Sequence, residues 1–380
     1  MKILFINLPY YGHVVPTIGL VQELIGLGCE VTYLMPCDWE GKIRESGAKF
    51  AGYPNHRQLA EQMKNALATA EQMAPEFDLI VYEQFFFLGK HLAEKYHKGV
   101  VRIFTAPVTN EKLMAEYIST KGPLAIFRYK WIARAFTKDI AGNIPLKTDN
   151  WLDEIVHNPP ELNLAYTLRD YQPYEEDFPE GLYRFLGPSI YARQEKKPDF
   201  VKGNRPVVYI SLGTILKGAT SFFQTCVDAF REENIDVIIS VGPKFKTKKL
   251  KNVPENVHIY PSVSQLAVLE MADVFVTHGG MNSISEALVS GTPMVVIPFV
   301  SDQNVNAGCM ERLGIAKRLE YAQVNEASLR IIVHDVANDA SIRANLADIR
   351  KRIEDAPGNR GGAAYIIEYY ERSQQNDNRK

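Results

Sequence analysis

The sequence predicts an α/β protein built as two doubly wound, parallel-sheet (Rossmann-like) domains. Short apolar, β-prone runs alternate with amphipathic helical stretches from the first residue, the pattern that gives a parallel sheet. That alternation breaks at 188–206, PSIYARQEKKPDFVKGNRP, a linker rich in charge, proline and glycine, and then restarts. The 380 residues exceed one ordinary core and suit two such domains. The expected division is 1–198, 199–358 and a last helical segment, 359–380.

Residues 3–8 are the first expected strand, followed directly by the loop Pro9-Tyr10-Tyr11-Gly12-His13. Pro16 opens a helix in which Ile18, Val21, Leu24, Ile25 and Leu27 recur at helical spacing, and Gly28 stops it before a strand at 30–35. A short helix at 39–46, a strand at 48–53, a helix at 58–73, a strand at 78–83, a helix at 88–96 and a strand at 100–104 continue the series. Ligands of such sheets bind at the carboxyl ends of the strands, where His13, Glu83 and the 105–111 loop fall. Residues 110–158 read as helical and carry Tyr117, Phe127, Tyr129, Trp131, Phe136 and Trp151, a candidate wall for an apolar acceptor. The run YEQFFF adds Tyr82, Phe85 and Phe86 to that wall. The second series has strands at 207–211, 237–241 and 257–260, a first turn Leu212-Gly213-Thr214, and a helix at 221–232. After residue 303 come helices near 325–336, 342–355 and 363–372, and no repeat of solenoid period is present.

Composition excludes several classes. Forty-three basic against forty-five acidic residues leave a net charge of −2, which provides no global field for nucleic acid. The basic run at 244–251 reads as a solvated surface turn. Four scattered cysteines without metal spacing suit a reducing cytoplasm. The N-terminus starts as a strand rather than a signal peptide, and no apolar run nears the roughly 20 residues a membrane span needs. No coiled-coil or interface pattern specifies an oligomeric state.

The most informative stretch is 272–303, ADVFVTHGGMNSISEALVSGTPMVVIPFVSDQ. It reads as strand, glycine turn, helix, strand and polar loop, one βαβ unit. His278-Gly279-Gly280 sits where the first strand would end, and the first turn of the following helix offers unpaired N–H groups to an anion such as a phosphate. Ser283 and Glu286 share a helix face; a hydroxyl there can donate to phosphate, and a carboxylate can accept from ribose hydroxyls. Asp302 and Gln303 follow the next strand and can hold sugar hydroxyls. Read structurally instead, the turn is a strand-to-helix connection with Asn282 and Ser283 as caps.

This constellation resembles the donor-binding signature of the family 1 nucleotide-sugar glycosyltransferases, in the bacterial macrolide and flavonoid branch. The resemblance implies the GT-B fold, two Rossmann-like domains facing across a cleft, with the last helix crossing back to the N-terminal domain. It implies that His278, Gly280, Met281, Asn282 and Ser283 bind diphosphate, Glu286 binds ribose, and Asp302 and Gln303 bind the donor sugar. Gly12, Gly213 and Thr214 are further expected donor contacts. Upstream, Ser262, Val263, Ser264 and Gln265 occupy the place of the family's W-x-P-Q run. Gln265 is retained for ribose, whereas Ser262 replaces the aromatic that stacks on the base, so UDP-sugar and TDP-sugar both remain open as co-substrate.

The chemistry requires an acceptor hydroxyl to be deprotonated and a departing diphosphate to be stabilised. His13 is the candidate base, since imidazole with a pKa near ~6.5 can accept a proton near neutral pH; the Gly12-His13 pair also matches the family's base position. A carboxylate should orient it. The family's Asp after the fifth strand is absent from Thr105-Ala106-Pro107-Val108-Thr109-Asn110-Glu111, so Glu111 is the first choice, Glu83 the second, and Asn110 could orient without charge. No Asp-x-Asp pair is present, so no metal or other cofactor is expected. The expectation is an inverting transfer of a hexose, glucose from UDP-glucose, to a small hydrophobic acceptor. A GT-B nucleotide-sugar epimerase or hydrolase, and a catalytically silent nucleotide-sugar-binding helper, are the alternatives.

Overall fold

Parallel strands need crossovers, and helices supply them throughout this chain. The computed structural model describes residues 1–119, 125–190, 196–213 and 220–377, without the side chains of residues 117, 119, 125–127, 301, 376 and 377. It divides into two units, Met1–Tyr191 with Ala356–Lys380, and Ala192–Asp355.

In the first unit the elements are β1 (Lys2–Ile6), α1 (Tyr11–Gly26), β2 (Glu30–Pro36), α2 (Glu40–Arg44), β3 (Lys49–Tyr53), α3 (Leu59–Met73), β4 (Leu79–Glu83), α4 (Gly89–Lys95), β5 (Gly99–Phe104), α5 (Glu111–Ser119), α6 (Ala125–Ala141), α7 (Trp151–His157), β6 (Leu162–Ala165) and β7 (Tyr183–Phe185). The sheet runs β3-β2-β1-β4-β5-β6-β7, all parallel. Alternate residues of β1 feed opposite cores: Ile3 and Phe5 pack with Val14, Ile18 and Val21 of α1, while Leu4 and Ile6 pack with Met63 and Leu67 of α3. The strand order reverses between β1 and β4, so α1 and α4 leave on opposite faces and open a crevice at the strands' carboxyl ends.

The second unit holds β8 (Val207–Ser211), α8 (Thr220–Ala229), β9 (Asp236–Ser240), β10 (Val257–Tyr260), α9 (Gln265–Leu269), β11 (Val274–Thr277), α10 (Met281–Ser290), β12 (Met294–Val296), α11 (Ser301–Arg312), β13 (Ala316–Arg318), α12 (Glu326–Asn338) and α13 (Ala340–Asp355). Its sheet, β10-β9-β8-β11-β12-β13, is also parallel and reverses between β8 and β11.

Three short strands, β6, β7 and β13, had no visible period in the sequence. A second difference concerns α1, which begins at Tyr11 rather than Pro16, with Pro16 inside the helix. One turn is already closed before the proline, by Val14 N–H to the Tyr10 carbonyl at 3.0 Å, so the ring costs only the bond to the Gly12 carbonyl. His13 therefore sits in the first turn of a helix and not in a glycine loop.

The last helix, α14 (Gly358–Asp377), packs on α1 within the first unit. It is longer than the periodicity suggested, because Gly361 and Gly362 read as breakers. Gly362 is a contact point instead: a Cβ there would lie 2.8 Å from Leu186 and 3.3 Å from Leu20. Gly362→Leu is expected to destabilise the first unit by a net ~1–2 kcal/mol, overpacking outweighing the ~0.8 kcal/mol that a helix gains on losing glycine. Urea unfolding measures it; a midpoint at or above the parent's would contradict this packing.

Candidate active site

At the first unit's switch point, β1 is followed by Asn7, whose side-chain amide donates to the His13 carbonyl at 2.9 Å and to the Tyr33 hydroxyl at 3.0 Å, while its own Oδ1 accepts the Leu8 amide. Asn7 thereby pins the start of α1. His13 Nδ1 lies 3.0 Å from Glu83 Oε1, at the end of β4, the strand beside β1. Glu83 is fully buried, and its desolvation is offset by three donors: His13, the Phe85 amide on Oε2 at 3.0 Å, and the Thr105 hydroxyl on Oε1 at 3.4 Å. A carboxylate on Nδ1 selects the Nδ1–H tautomer and leaves the imidazole's basic lone pair on Nε2.

His13 forms the polar end of a cavity of about 300 Å³ lined otherwise by Leu8, Tyr10, Leu59, Met63, Phe85, Phe136 and Trp151. The aromatics form a continuous edge-on arc: Tyr10–His13 at 5.6 Å, His13–Phe85 at 5.1 Å, Phe85–Trp151 at 5.9 Å and Trp151–Phe136 at 6.3 Å. An apolar chamber with few polar groups, here His13 and the Tyr10 hydroxyl, is the pattern of a hydrophobic small-molecule site.

In the second unit the strand ends Ser211 and Thr277 lie side by side across the switch point. Each hydroxyl accepts the amide of a following glycine, Gly213 at 3.5 Å and Gly279 at 3.3 Å. His278 sits between the two turns, 6% exposed, and Nδ1 has no hydrogen-bond partner among the described residues. A Cβ at Gly280 would lie 2.5 Å from His278 Nε2, and one at Gly213 would lie 2.7 Å from Cε1; Gly213 also has φ +65°. Only glycine leaves room for the ring at both positions. Burial pushes His278 down to about 4, so near neutral pH it is an uncharged imidazole, able to donate one N–H.

Beside it α10 opens at Gly280, and no side chain caps it, an arrangement that can receive an anion. The Gln265 side-chain amide donates to Glu286 Oε2 at 2.8 Å and to Ser283 Oγ at 3.4 Å, which brings together three residues from 265, 283 and 286. Asn306 of α11 holds the Gly279 carbonyl at 2.9 Å.

Several expectations need correction. Glu111 is not the partner of His13; it is exposed on α5 and bonds His157 Nε2 at 2.9 Å. Asn110 is the N-terminal cap of that helix, accepting the Leu113 amide and donating to Asp177. Both lie several residues past the end of β5, whereas Glu83 is the strand-end residue itself. Tyr82 and Phe86 do not line the cavity. Tyr82 faces the opposite side of β4 from Glu83, 2% exposed, with Gly89 so close that a Cβ there would lie 2.2 Å from the ring; Phe86 is fully buried in the same core. Thr214, and the side chains of Tyr117 and Phe127, lie outside the described residues.

The remaining expected residues are dispersed by exposure. Gly12, Ser262 and Asp302 are exposed, Met281 and Asn282 half-buried, Val263 buried. Gln303 is 2% exposed, and its Oε1 accepts the Phe299 and Val300 amides at 2.8 and 3.3 Å, so it caps α11. Sequence reasoning missed Asn7, Thr105, Tyr10, Leu59, Met63 and Asn306. Only Asn7 left a signal, as a polar residue closing an apolar strand.

Two Rossmann-like units, one with a His–carboxylate pair at an apolar chamber and the other with an uncapped helix at a glycine turn, have the build of GT-B glycosyltransferases. A family model described as UDP-glucoronosyl and UDP-glucosyl transferase matches residues 194–374. The chain is 32% identical over 379 residues to the NDP-glycosyltransferase YjiC of Bacillus licheniformis, covering 93% of each chain. It is 25% identical to the oleandomycin glycosyltransferase of Streptomyces antibioticus, over 94% of this chain and 88% of that one. Among solved structures it is similar to the kitacinnamycin glycotransferase, with a TM-score of 0.84 at 29% identity over 97% of this chain and 98% of that one. CalG4, the calicheamicin glycosyltransferase, gives 0.83 at 25% over 98% of each. The chain belongs to the UDP-glucoronosyl and UDP-glucosyl transferase family and is a glycosyltransferase.

The state of His278 has a consequence for stability. An unfolded histidine titrates near ~6.5, so between there and about 4 the unfolded chain binds more protons than the folded one. The stabilisation is complete above that range and is lost as pH falls, by ~2.5 kcal/mol at about pH 4.5. His278→Gln should lose correspondingly less stability between pH 7 and pH 4.5 in chemical denaturation. Parallel losses in the two proteins would show that His278 is not buried neutral.

Proposed function

We propose that this chain is an inverting, metal-independent hexosyltransferase that moves glucose from UDP-glucose onto a hydroxyl of a small hydrophobic acceptor, such as a flavonoid or macrolide, in the cytoplasm. The observation that carries this reading is the buried Glu83–His13 pair at the end of an apolar chamber. The acceptor's ring system occupies the chamber and its hydroxyl meets His13. Nε2 takes the hydroxyl proton, the oxygen attacks the anomeric carbon, and the carbon–oxygen bond to the diphosphate breaks, with Glu83 stabilising the imidazolium. Negative charge developing on the diphosphate is received by the α10 N-terminus, Ser283 and the neutral His278 N–H. These donors do the work that an Asp-x-Asp-bound metal does elsewhere, and one base without a nucleophilic carboxylate favours a single displacement with inversion. The Gln265–Glu286 pair suits ribose, and Asp302, exposed after β12, suits the sugar.

The names of relatives, among them an oleandomycin glycosyltransferase and a calicheamicin glycosyltransferase, support a small natural product as acceptor. Product mass after incubation with EDTA, UDP-glucose or TDP-glucose, and a panel of phenols, flavonoids and macrolides tests the proposal. Hexose added to an acceptor, in the configuration opposite to the donor's, is the expected result. Free glucose with no dependence on any acceptor, or a retained configuration, would overturn it.

His13→Ala should lower kcat by ~10²–10⁴-fold with the nucleotide-sugar KM little changed. Glu83→Gln should act in the same direction. Its amide NH2 must face either the Phe85 N–H or His13 Nδ1, and the second choice enforces the wrong tautomer. An unimpaired His13→Ala protein would remove the assignment of the base.

A further inference from the structure

Thr105 is the first residue after β5, 3% exposed, and belongs to neither unit's expected machinery. Parallel pairing puts Ile103 of β5 opposite Glu83 of β4, and the Gln84 amide bonds the Ile103 carbonyl at 2.9 Å, so two hydrogen-bonded strand ends set the spacing of Thr105 and Glu83. The Thr105 hydroxyl then lies 3.1 Å from His13 Nδ1 and 3.4 Å from Glu83 Oε1, while Nδ1 and Oε1 are 3.0 Å apart. Three polar atoms close a triangle.

A hydroxyl has one hydrogen and two lone pairs, and that inventory decides how the triangle is wired. If His13 carries its proton on Nδ1, that N–H is shared between Glu83 Oε1 and the Thr105 oxygen, and the Thr105 O–H donates to Oε1. Every donor then meets an acceptor. If the proton sits on Nε2 instead, the Nδ1 lone pair faces a carboxylate oxygen at 3.0 Å, and the single hydroxyl hydrogen can serve only one of them. The first wiring wins by one satisfied pair and one removed repulsion.

We propose that Thr105 is a positioning residue for the transfer: its hydroxyl, locked to the strand end beside Glu83, fixes the tautomer and the ring angle of His13. The inference rests on His13 acting as the base. Its threonine type fits the task, because a β-branched side chain has few χ1 choices and keeps the hydroxyl aimed without an entropic cost at each turnover.

Thr105→Val keeps the shape and removes the hydroxyl; Thr105→Ser keeps the hydroxyl and removes the methyl. With UDP-glucose and whichever acceptor the panel identifies, Thr105→Val should lower kcat by about 10-fold with both KM values within about twofold of the parent's, and Thr105→Ser should recover to within about threefold. Thermal unfolding of each variant runs alongside. Should Thr105→Val not fold, Thr105→Ala against Thr105→Ser gives the same comparison of hydroxyl present and absent. A hydroxyl-free variant with parental kcat overturns the positioning role, as does a Thr105→Ser protein no better than it. Loss of activity in His13→Ala together with a parental Thr105→Val separates failure of this inference from failure of the proposed base.

Discussion

Both functional clusters depend on one topological constraint, the reversal of strand order within each parallel sheet. Strands on either side of a reversal send their following helices to opposite faces, so the two strand ends are left without a covering helix between them. In the first sheet those ends are Asn7 after β1 and Glu83 at the end of β4; in the second they are Ser211 and Thr277. Polar side chains can be buried there because strand-end amides and loop N–H groups are at hand to satisfy them. Elsewhere along these strands both faces are covered and the buried residues are aliphatic or aromatic.

The two clusters place a histidine in opposite surroundings, His13 half-buried and His278 buried. His13 has its Nδ1 3.0 Å from the Glu83 carboxylate, which gives one ring N–H an acceptor. His278 meets two glycine turns and no carboxylate among the described residues, so desolvation dominates and keeps it neutral. The same side chain is thereby paired with a carboxylate in one unit and kept uncharged in the other. The difference lies entirely in what the neighbouring strand end carries.

Long elements were legible because their periods repeat. The five strands expected in 3–104, the 272–303 unit and the helices after 325 all correspond to elements of the fold, and HGG did lie at a strand-to-helix turn. The short edge strands β7 and β13 were not, since without a continuing apolar run like the one around β12 three residues hold no measurable alternation and their existence depends on a neighbour's edge. Pro16 misled because its helix could absorb one lost hydrogen bond. Tyr82 and Phe86 misled because aromatic composition says nothing of depth: both lie in the core that the chamber's Leu8 and Met63 border, but beneath its lining. Glu111 misled because nearness in sequence to a strand end is not nearness to its neighbour.

The sequence by itself determined the alternation that makes two parallel sheets, the glycine turn with its helix N-terminus, and the histidine after the first strand. These are local facts, set by residue type and spacing within a few turns of chain. Only the tertiary structure decided that Glu83 rather than Glu111 holds His13, that Thr105 joins them, and that Phe136 and Trp151 close the chamber with Leu59 and Met63. Those pairings cross from 22 to 92 positions of sequence. They are fixed by which strands lie side by side and by the register between them, a global outcome of packing two cores at once that no local period encodes.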